Sequence, residues 1–336
     1  MYTAKDIAKL LGTDENLLSD PSANISHLTI DTRKIEVPSK TLFFALSGSM
    51  LEGHDFIHDA LDKGIKNIVV EKNPGFIIGH VNIFQVENSL RALQKLAAYH
   101  RSCFPDIEVI GITGSNGKTT IKEWLYQMIH DRQVVKSPKS YNSQTGVPLS
   151  VWQIKPGDQL AIFEAGISQK EEMSALENII RPDIGLFTLL GDAHSEGFVN
   201  LTEKLNEKLK LFENAKTIIY EEDDLIVSMA MREKFSSKNL VSWGWNAESS
   251  LFRILDIQKS NYQTKVNILV NNEQQTLIIP FSDAASIENA LHCVAVMMVL
   301  NIPFEIIKTA LTRIQNIPMR LEMKNGIQNS ILINDT

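Results

Sequence analysis

Residues Gly111-Ile-Thr-Gly-Ser-Asn-Gly-Lys-Thr-Thr120 lie between an apolar run and an amphipathic one. Glycines let successive backbone N–H groups converge on one anion, and a helix opening at the loop adds the partial positive charge of its N-terminus. The segment therefore reads as a phosphate-binding loop. Gly114, Ser115, Asn116, Gly117 and Thr120 form the cradle, Lys118 reaches the β- and γ-phosphates, and the Thr119 hydroxyl ligates Mg2+. The spacing departs from the usual G-x-x-x-x-G-K-[ST] form. Counting back from Gly117 puts Ile112 at the first glycine position, so Gly114 must make the turn.

Two further residues belong beside such a loop. Glu164 closes the apolar run LAIFE, and a carboxylate at a strand's C-terminal edge faces the ligand crevice of an open α/β sheet, where it commonly binds the nucleotide's magnesium. His194 follows another apolar run, Ile184 to Leu189, and projects from the same edge. Lys204, Lys208 and Lys210 lie on the polar helix LTEKLNEKLKLF, where a lysine taken alone reads as a solvated face.

These residues need a parallel sheet to position them. From Ile107 onward, strand-like Ile107–Ile112, Leu160–Glu164, Ile184–Leu189 and Thr217–Tyr220 alternate with helical runs, the rhythm of a sheet covered on both faces. Ile121, Trp124, Leu125, Met128 and Ile129 recur at helical spacing after the loop. Short β-runs within 251–281 predict an antiparallel extension, and helices around Ile287–Leu300 and Phe304–Ile314 follow it. Ahead of Phe104-Pro105-Asp106, short strands (Ser26–Ile30, Thr41–Leu46, Asn67–Val70, Asn82–Val86), a helix around Phe56–Lys63 and one through Leu90–His100 make a smaller α/β unit. The fold class expected is thus α/β: a domain over 1–104, a phosphate-loop domain over 105–315, and a linker with one strand over 316–336. That last strand, at Ser330–Thr336, has nothing after it to cover it and reads as a cut made just inside a further domain.

Composition agrees with two domains: 336 residues, 43% of them hydrophobic, suffice for two cores at roughly 150 residues each. A net charge of -7 argues against a nucleic-acid partner or an anionic membrane face, though not against a local basic pocket. No apolar run reaches the ~18 residues of a membrane span. Thr3, Asp6 and Gly12 make the first residues a capped helix and not a signal peptide. Cys103 and Cys293, each in an apolar helical run, read as free thiols in a reducing cytoplasm.

Together the motifs resemble the Mur ligase family, ATP-dependent amide-forming enzymes of cell-wall precursor synthesis. Thr113–Thr120 is similar to that family's T-G-x-x-G-K-T/S-T loop, Tyr141–Pro148 to its substrate loop, Ala193–Phe198 to its A-H-L-E-x-F segment, and Met319–Glu322 and Ile333–Thr336 to segments leading into a third domain. Asp31–Arg33, Leu42–Gly48 and Glu52–Phe56 are similar to its UDP-sugar segments. Of the adenine-side H-N-x-x-N motif, Ala285–Asn289 keeps only the last asparagine.

The resemblance implies catalytic roles for Lys118, His194 and Lys208, the last standing fourteen positions after His194 where the family carries a carbamylated lysine. It implies magnesium on Thr119, Glu164, His194 and carbamylated Lys208, and ATP on the loop with Asn289, Arg320 and Asp335. Substrate would be held by Thr32, Arg33, Ser47, Gly48, His54, Asp55, Asn142 and Ser143. The activity implied joins D-Ala-D-Ala to UDP-MurNAc-tripeptide through an acyl phosphate, with a covalently fused alanine racemase and a missing C-terminal ligase domain as further expectations. This chain alone would bind but turn over poorly. A ligase acting on UDP-MurNAc-dipeptide, a folylpolyglutamate-type ligase and a non-catalytic nucleotide-binding module stay open.

Overall fold

The computed structural model describes residues 2–48, 52–73, 79–191, 197–246, 250–317, 322–325 and 331–334. They divide into two compact units, one of Met1–Pro105 with Ser143–Ile154, the other of Asp106–Asn142 with Lys155–Thr336.

In the first unit, strand β1 (Tyr2–Thr3) leads into helix α1 (Ala4–Leu11) and pairs antiparallel with β2 (Asn24–Ile25). Thr3 and Asp6 cap α1 reciprocally, and Gly12 ends it in the left-handed conformation, the start and stop that the sequence predicts. Strands β3 (His27–Thr29), β4 (Thr41–Phe44), β5 (Asn67–Val70) and β6 (Asn82–Gln85) form a parallel sheet in that order. Helix α2 (Ile57–Asp62) precedes β5, and α3 (Ser89–Ser102) follows β6. Cys103 caps the end of α3 exposed, not within its apolar face as expected, because the apolar spacing ends at His100.

The stretch Ser143–Ile154 packs with this first unit, whereas the sequence reading assigns it to the second domain. Its helix, Gly146–Val151, lies on α3. Trp152 beyond it donates its indole N–H to Ser26 O at 3.0 Å and packs on the Tyr2 ring. The Trp152 contacts join residues about 125 or more positions apart, a separation that no local periodicity encodes.

The second unit carries a nine-stranded sheet. Its strands are β7 (Glu108–Thr113), β8 (Val134–Lys136), β9 (Leu160–Glu164), β10 (Ile184–Phe187), β11 (Thr217–Glu221), β12 (Asn239–Gly244), β13 (Phe252–Lys259), β14 (Thr264–Val270) and β15 (Glu273–Ile279). The order is β15-β14-β13-β12-β11-β10-β7-β9-β8. From β8 to β13 neighbours are parallel, and β14 and β15 extend the sheet antiparallel, the mixed architecture expected. Strands β8 and β12 are additions to the predicted set. Helices are α4 (Lys118–Met128), α5 (the Gly146–Val151 helix of the first unit), α6 (Glu172–Ile180), α7 (Leu201–Leu209), α8 (Leu225–Lys234), α9 (Ala284–Val299) and α10 (Phe304–Leu311). Helices α4, α9 and α10 share one core with the sheet, with Ile121, Trp124 and Leu125 of α4 beside Leu291 and Val294 of α9. The hairpin β16 (Glu322–Asn325) and β17 (Ile331–Asn334) ends the described chain. No helix among the described residues is long and apolar enough to cross a membrane.

Candidate active site

Strand β7 is buried over nearly its whole length and delivers Gly114 to its C-terminal edge. Gly114 has φ +142°, and a Cβ there would meet Thr188 Oγ1 at 2.0 Å. Gly117 has φ +83°, and its Cβ would meet Asn289 Oδ1 at 2.2 Å. Both positions thus require glycine on conformation and on space. Helix α4 begins at the next residue, so its unpaired N–H groups and positive dipole end lie at the loop. Ser115 ties the loop to the segment after β10: its N–H donates to Leu189 O at 2.8 Å, and its hydroxyl exchanges 2.9 Å bonds with Gly191.

Three lysines meet this backbone. Lys118 Nζ donates to Gly114 O at 2.8 Å and Ser115 O at 3.0 Å, and Lys208 Nζ to Gly114 O at 3.0 Å. Lys204 Nζ donates to Gly191 O at 2.5 Å. Lys204 and Lys208 are 1% and 3% exposed, so neither belongs to a solvated face. Lying four residues apart, they share the side of α7 that turns to the loop, and that spacing was their available signal. Burial, then the charges of Lys118 and Lys204, pushes the Lys208 ammonium down to about 7, so near neutral pH much of it is uncharged amine.

The carboxylate of Glu164 is fully buried. Its Oε2 accepts from Thr119 Oγ1 at 2.9 Å and, at 3.5 Å, from Asn142 Nδ2. Its Oε1 accepts from Lys122 Nζ at 2.9 Å. Lys122, also fully buried, donates as well to Ser137 O at 2.8 Å and to Lys139 O. The sequence reading missed Lys122, although it stands one helical turn after Lys118. Asn142 is held in place by Gly166, whose N–H donates to Asn142 O at 2.8 Å.

Phosphate-loop residues Gly114 to Thr119 thus come together with Glu164, Lys208, Asn142 and Asn289. Thr120 follows on the first turn of α4. His194, Arg320 and Asp335 lie outside the described residues. Among the described residues no group of three or more His, Cys, Asp or Glu side chains could hold a metal. The oxygen donors that fit a hard cation are Glu164 Oε2 and Thr119 Oγ1, already 2.9 Å apart beside the loop.

The remaining predicted residues are in the first unit, Ser143 included. Ser143 Oγ accepts from Gly146 N–H at 3.2 Å at the start of α5. Arg33 is 84% exposed and bound in a fork to Asp31, through Nε at 2.9 Å and Nη2 at 3.0 Å. Its hydrogen bonds hold the Asp31 carboxyl down at about 2. Thr32, next to it, is buried, and its carbonyl accepts from Lys63 Nζ at 3.1 Å. His54 is engaged on both ring nitrogens. Nε2 accepts from the N–H groups of Glu71 and Lys72, which leaves Nδ1–H to donate to Glu52 Oε1 at 2.7 Å. Ser47 Oγ donates to Glu71 Oε2 at 2.9 Å. His54 therefore braces the turn, while Ser47, Gly48 and Asp55 present exposed faces.

The family model described as the Mur ligase middle domain matches residues 112–297, and that described as the Mur ligase family catalytic domain matches residues 24–101. The UDP-N-acetylmuramoyl-tripeptide--D-alanyl-D-alanine ligase of Buchnera aphidicola subsp. Acyrthosiphon pisum is 30% identical over 326 residues, spanning 93% of this chain and 68% of its own. A crystal structure of MurF from Acinetobacter baumannii superposes with a TM-score of 0.88 at 22% identity, over 100% of this chain and 73% of that one. The MurF ligase of Thermotoga maritima in complex with ADP gives 0.77 at 24% identity, over 96% of this chain and 72% of that one.

Proposed function

This chain belongs to the Mur ligase family, and we propose that it joins D-alanyl-D-alanine to UDP-N-acetylmuramoyl-tripeptide at the expense of ATP. The observation that carries the reading is the convergence of Lys118 and Lys208 on the backbone of a loop that opens α4, with Lys204 on the adjoining Gly191 carbonyl, beside the Thr119–Glu164 pair. A polyanion on a helix N-terminus needs such cations, and magnesium needs such oxygens.

In this reading the tripeptide's terminal carboxylate attacks the γ-phosphorus, the bond to ADP breaks, and an acyl phosphate forms. The amine of D-Ala-D-Ala then attacks the acyl carbon, phosphate leaves, and the nitrogen gives up one proton to become the amide. The loop N–H groups and Lys118 hold the phosphates in line, so catalysis is positioning and charge stabilisation. Thr119 and Glu164 would hold magnesium, which when bound draws negative charge from the phosphoryl oxygens. Asn142, aimed at Glu164, keeps that carboxylate's outer oxygen oriented. Lys208 as an ammonium would repel a metal, and as an amine it offers no oxygen donor. Its depressed basicity supports conversion to a carbamate, since neutral amine is the form that adds CO2, and the carbamate with His194 would hold a second magnesium. Asn289 beside Gly117, with Arg320 and Asp335, would complete the nucleotide site, and the exposed Arg33, Ser47, Gly48, Asp55 and Ser143, with Thr32 buried beside Arg33, would take the UDP-sugar. The use of ATP and a UDP-linked precursor supports a cytoplasmic location for this reaction. A covalently joined alanine racemase fits as a partner, because it makes the D-alanine from which the dipeptide is built.

The test is product analysis by mass spectrometry. The chain is incubated with Mg-ATP, UDP-MurNAc-tripeptide and D-Ala-D-Ala, with each omitted in turn. UDP-MurNAc-pentapeptide that needs all three supports the reading. A product formed instead from UDP-MurNAc-dipeptide and a diamino acid, or from a folate and glutamate, overturns it.

A further inference from the structure

The phosphate loop is also anchored from behind, by residues that the proposed reaction does not touch. Thr188, just past β10, donates its hydroxyl to Asn116 O at 2.6 Å, and its N–H donates to Thr113 O at 2.9 Å. Its own carbonyl accepts from His292 Nε2 on α9 at 3.1 Å. His292 is 0% exposed, and its Nδ1 accepts from Trp243 Nε1 on β12 at 3.3 Å, the two rings edge to face at 4.9 Å. An indole N–H only donates. Nδ1 must therefore carry the lone pair and Nε2 the hydrogen, so the ring is neutral, in one tautomer, and engaged at both nitrogens.

The bonds run in series from Trp243 through His292 and Thr188 to the Asn116 carbonyl. A trans peptide points its C=O and N–H in opposite directions. Holding Asn116 O against Thr188 therefore turns the Gly117 N–H away from the sheet, at the residue where α4 opens. Were the peptide to flip, the loop would present a carbonyl oxygen where an anion requires a hydrogen-bond donor. An aliphatic side chain at 292 would also strand the Thr188 carbonyl and the Trp243 N–H in a dry interior, and the strand end carrying Thr188 would have to shift to find partners.

We propose that His292, acting through Thr188, is a positioning residue for nucleotide binding, fixing the Asn116–Gly117 peptide in the orientation that receives phosphate. The proposal rests on the reading of this loop as the nucleotide site. A loop held in this way spends no affinity on reordering itself.

Calorimetric titration with Mg-ADP tests it. Thr188→Val deletes one hydroxyl at constant shape and should weaken binding about tenfold, the effect of one misdirected buried hydrogen-bonding group. His292→Leu should weaken it by at least as much. Thr188→Ser restores the donor, and His292→Gln can accept from Trp243 and donate to Thr188, so both should return to within about twofold of the native affinity. A merely structural role would not follow that pattern of rescue. If Thr188→Val and His292→Leu bind Mg-ADP like the native chain while Lys118→Ala is weakened, the relay is refuted and the nucleotide reading stands. If Lys118→Ala also binds normally, the nucleotide reading fails and the relay with it. Should His292→Leu not fold, Thr188→Val against Thr188→Ser decides.

Discussion

Replacing Lys122 by methionine should destabilise the second unit more than any surface change, although methionine matches its length and suits the neighbouring apolar side chains. Lys122 and Glu164 are each 0% exposed and joined at 2.9 Å. Deleting one member of such a pair leaves the other as an uncompensated charge in a dry interior, at about 3–5 kcal/mol. The Ser137 and Lys139 carbonyls lose a donor as well, which keeps the expectation at the upper end of that range. For a unit of this size, about 4 kcal/mol lowers the melting temperature by roughly 10 °C.

The assay is a double-mutant cycle read by urea unfolding, with Trp124 and Trp243 as fluorophores in the second unit. Lys122→Met, Glu164→Gln and the double variant are compared with the native chain. Once Glu164 is neutral, Lys122 keeps only Glu123 as a counter-charge, at 3.1 Å, and replacing it by methionine no longer strands the Glu164 carboxylate, so the two losses should fall short of additive by about 2 kcal/mol or more. Additivity within about 0.5 kcal/mol, or a Lys122→Met variant as stable as the native chain, would refute the claim that the two charges depend on each other.

Burial holds the His292 imidazole down at about 3, against the ordinary 6.5, so between those values the unfolded chain binds the extra proton and stability falls as pH falls. By linkage this residue costs about 2 kcal/mol between pH 7 and pH 5, a loss that should be smaller in His292→Gln by urea unfolding at the two pH values. Gly117→Ala should lose about 1–3 kcal/mol of stability and at least tenfold in Mg-ADP affinity, since φ +83° and the Asn289 oxygen both oppose a methyl group. Thr3→Ala breaks the reciprocal cap of α1 and should cost about 1 kcal/mol, read as earlier thermal unfolding of the first unit without change in Mg-ADP affinity.

The sequence was most informative where the physics is local. The capping box of α1, the strand Leu160–Glu164 and the amphipathic stripe of α4 follow from spacing alone, and all three stand in the structure. The loop was legible through its glycines, because a turn at φ +142° beside Thr188 admits no other residue. The missed strands β8 and β12 share a physical cause: Val134–Lys136 is three residues long, too short for any period, and Asn239–Gly244 alternates weakly.

What escaped sequence reasoning is the set of buried polar groups, and they escaped for one reason. A lysine is counted as solvated until something far along the chain is known to meet it. Lys122 needs Glu164, 42 residues on, and Lys208 needs Gly114, 94 residues back. His292 reaches Thr188 across 104 residues. In each case the partner is a main-chain carbonyl or a single side chain at the C-terminal edge of a strand in the β10-β7-β9 run, or in the segment just beyond it. A parallel sheet sends all those ends to one side, so polar atoms from distant segments converge there. The same geometry explains how a chain of net charge -7 keeps Lys118, Lys122, Lys204 and Lys208 within one neighbourhood. Carbonyl oxygens and the carboxylates of Glu164 and Glu123 hold the ammonium groups, and an anionic ligand on the loop would add the charge that this local excess of lysines calls for.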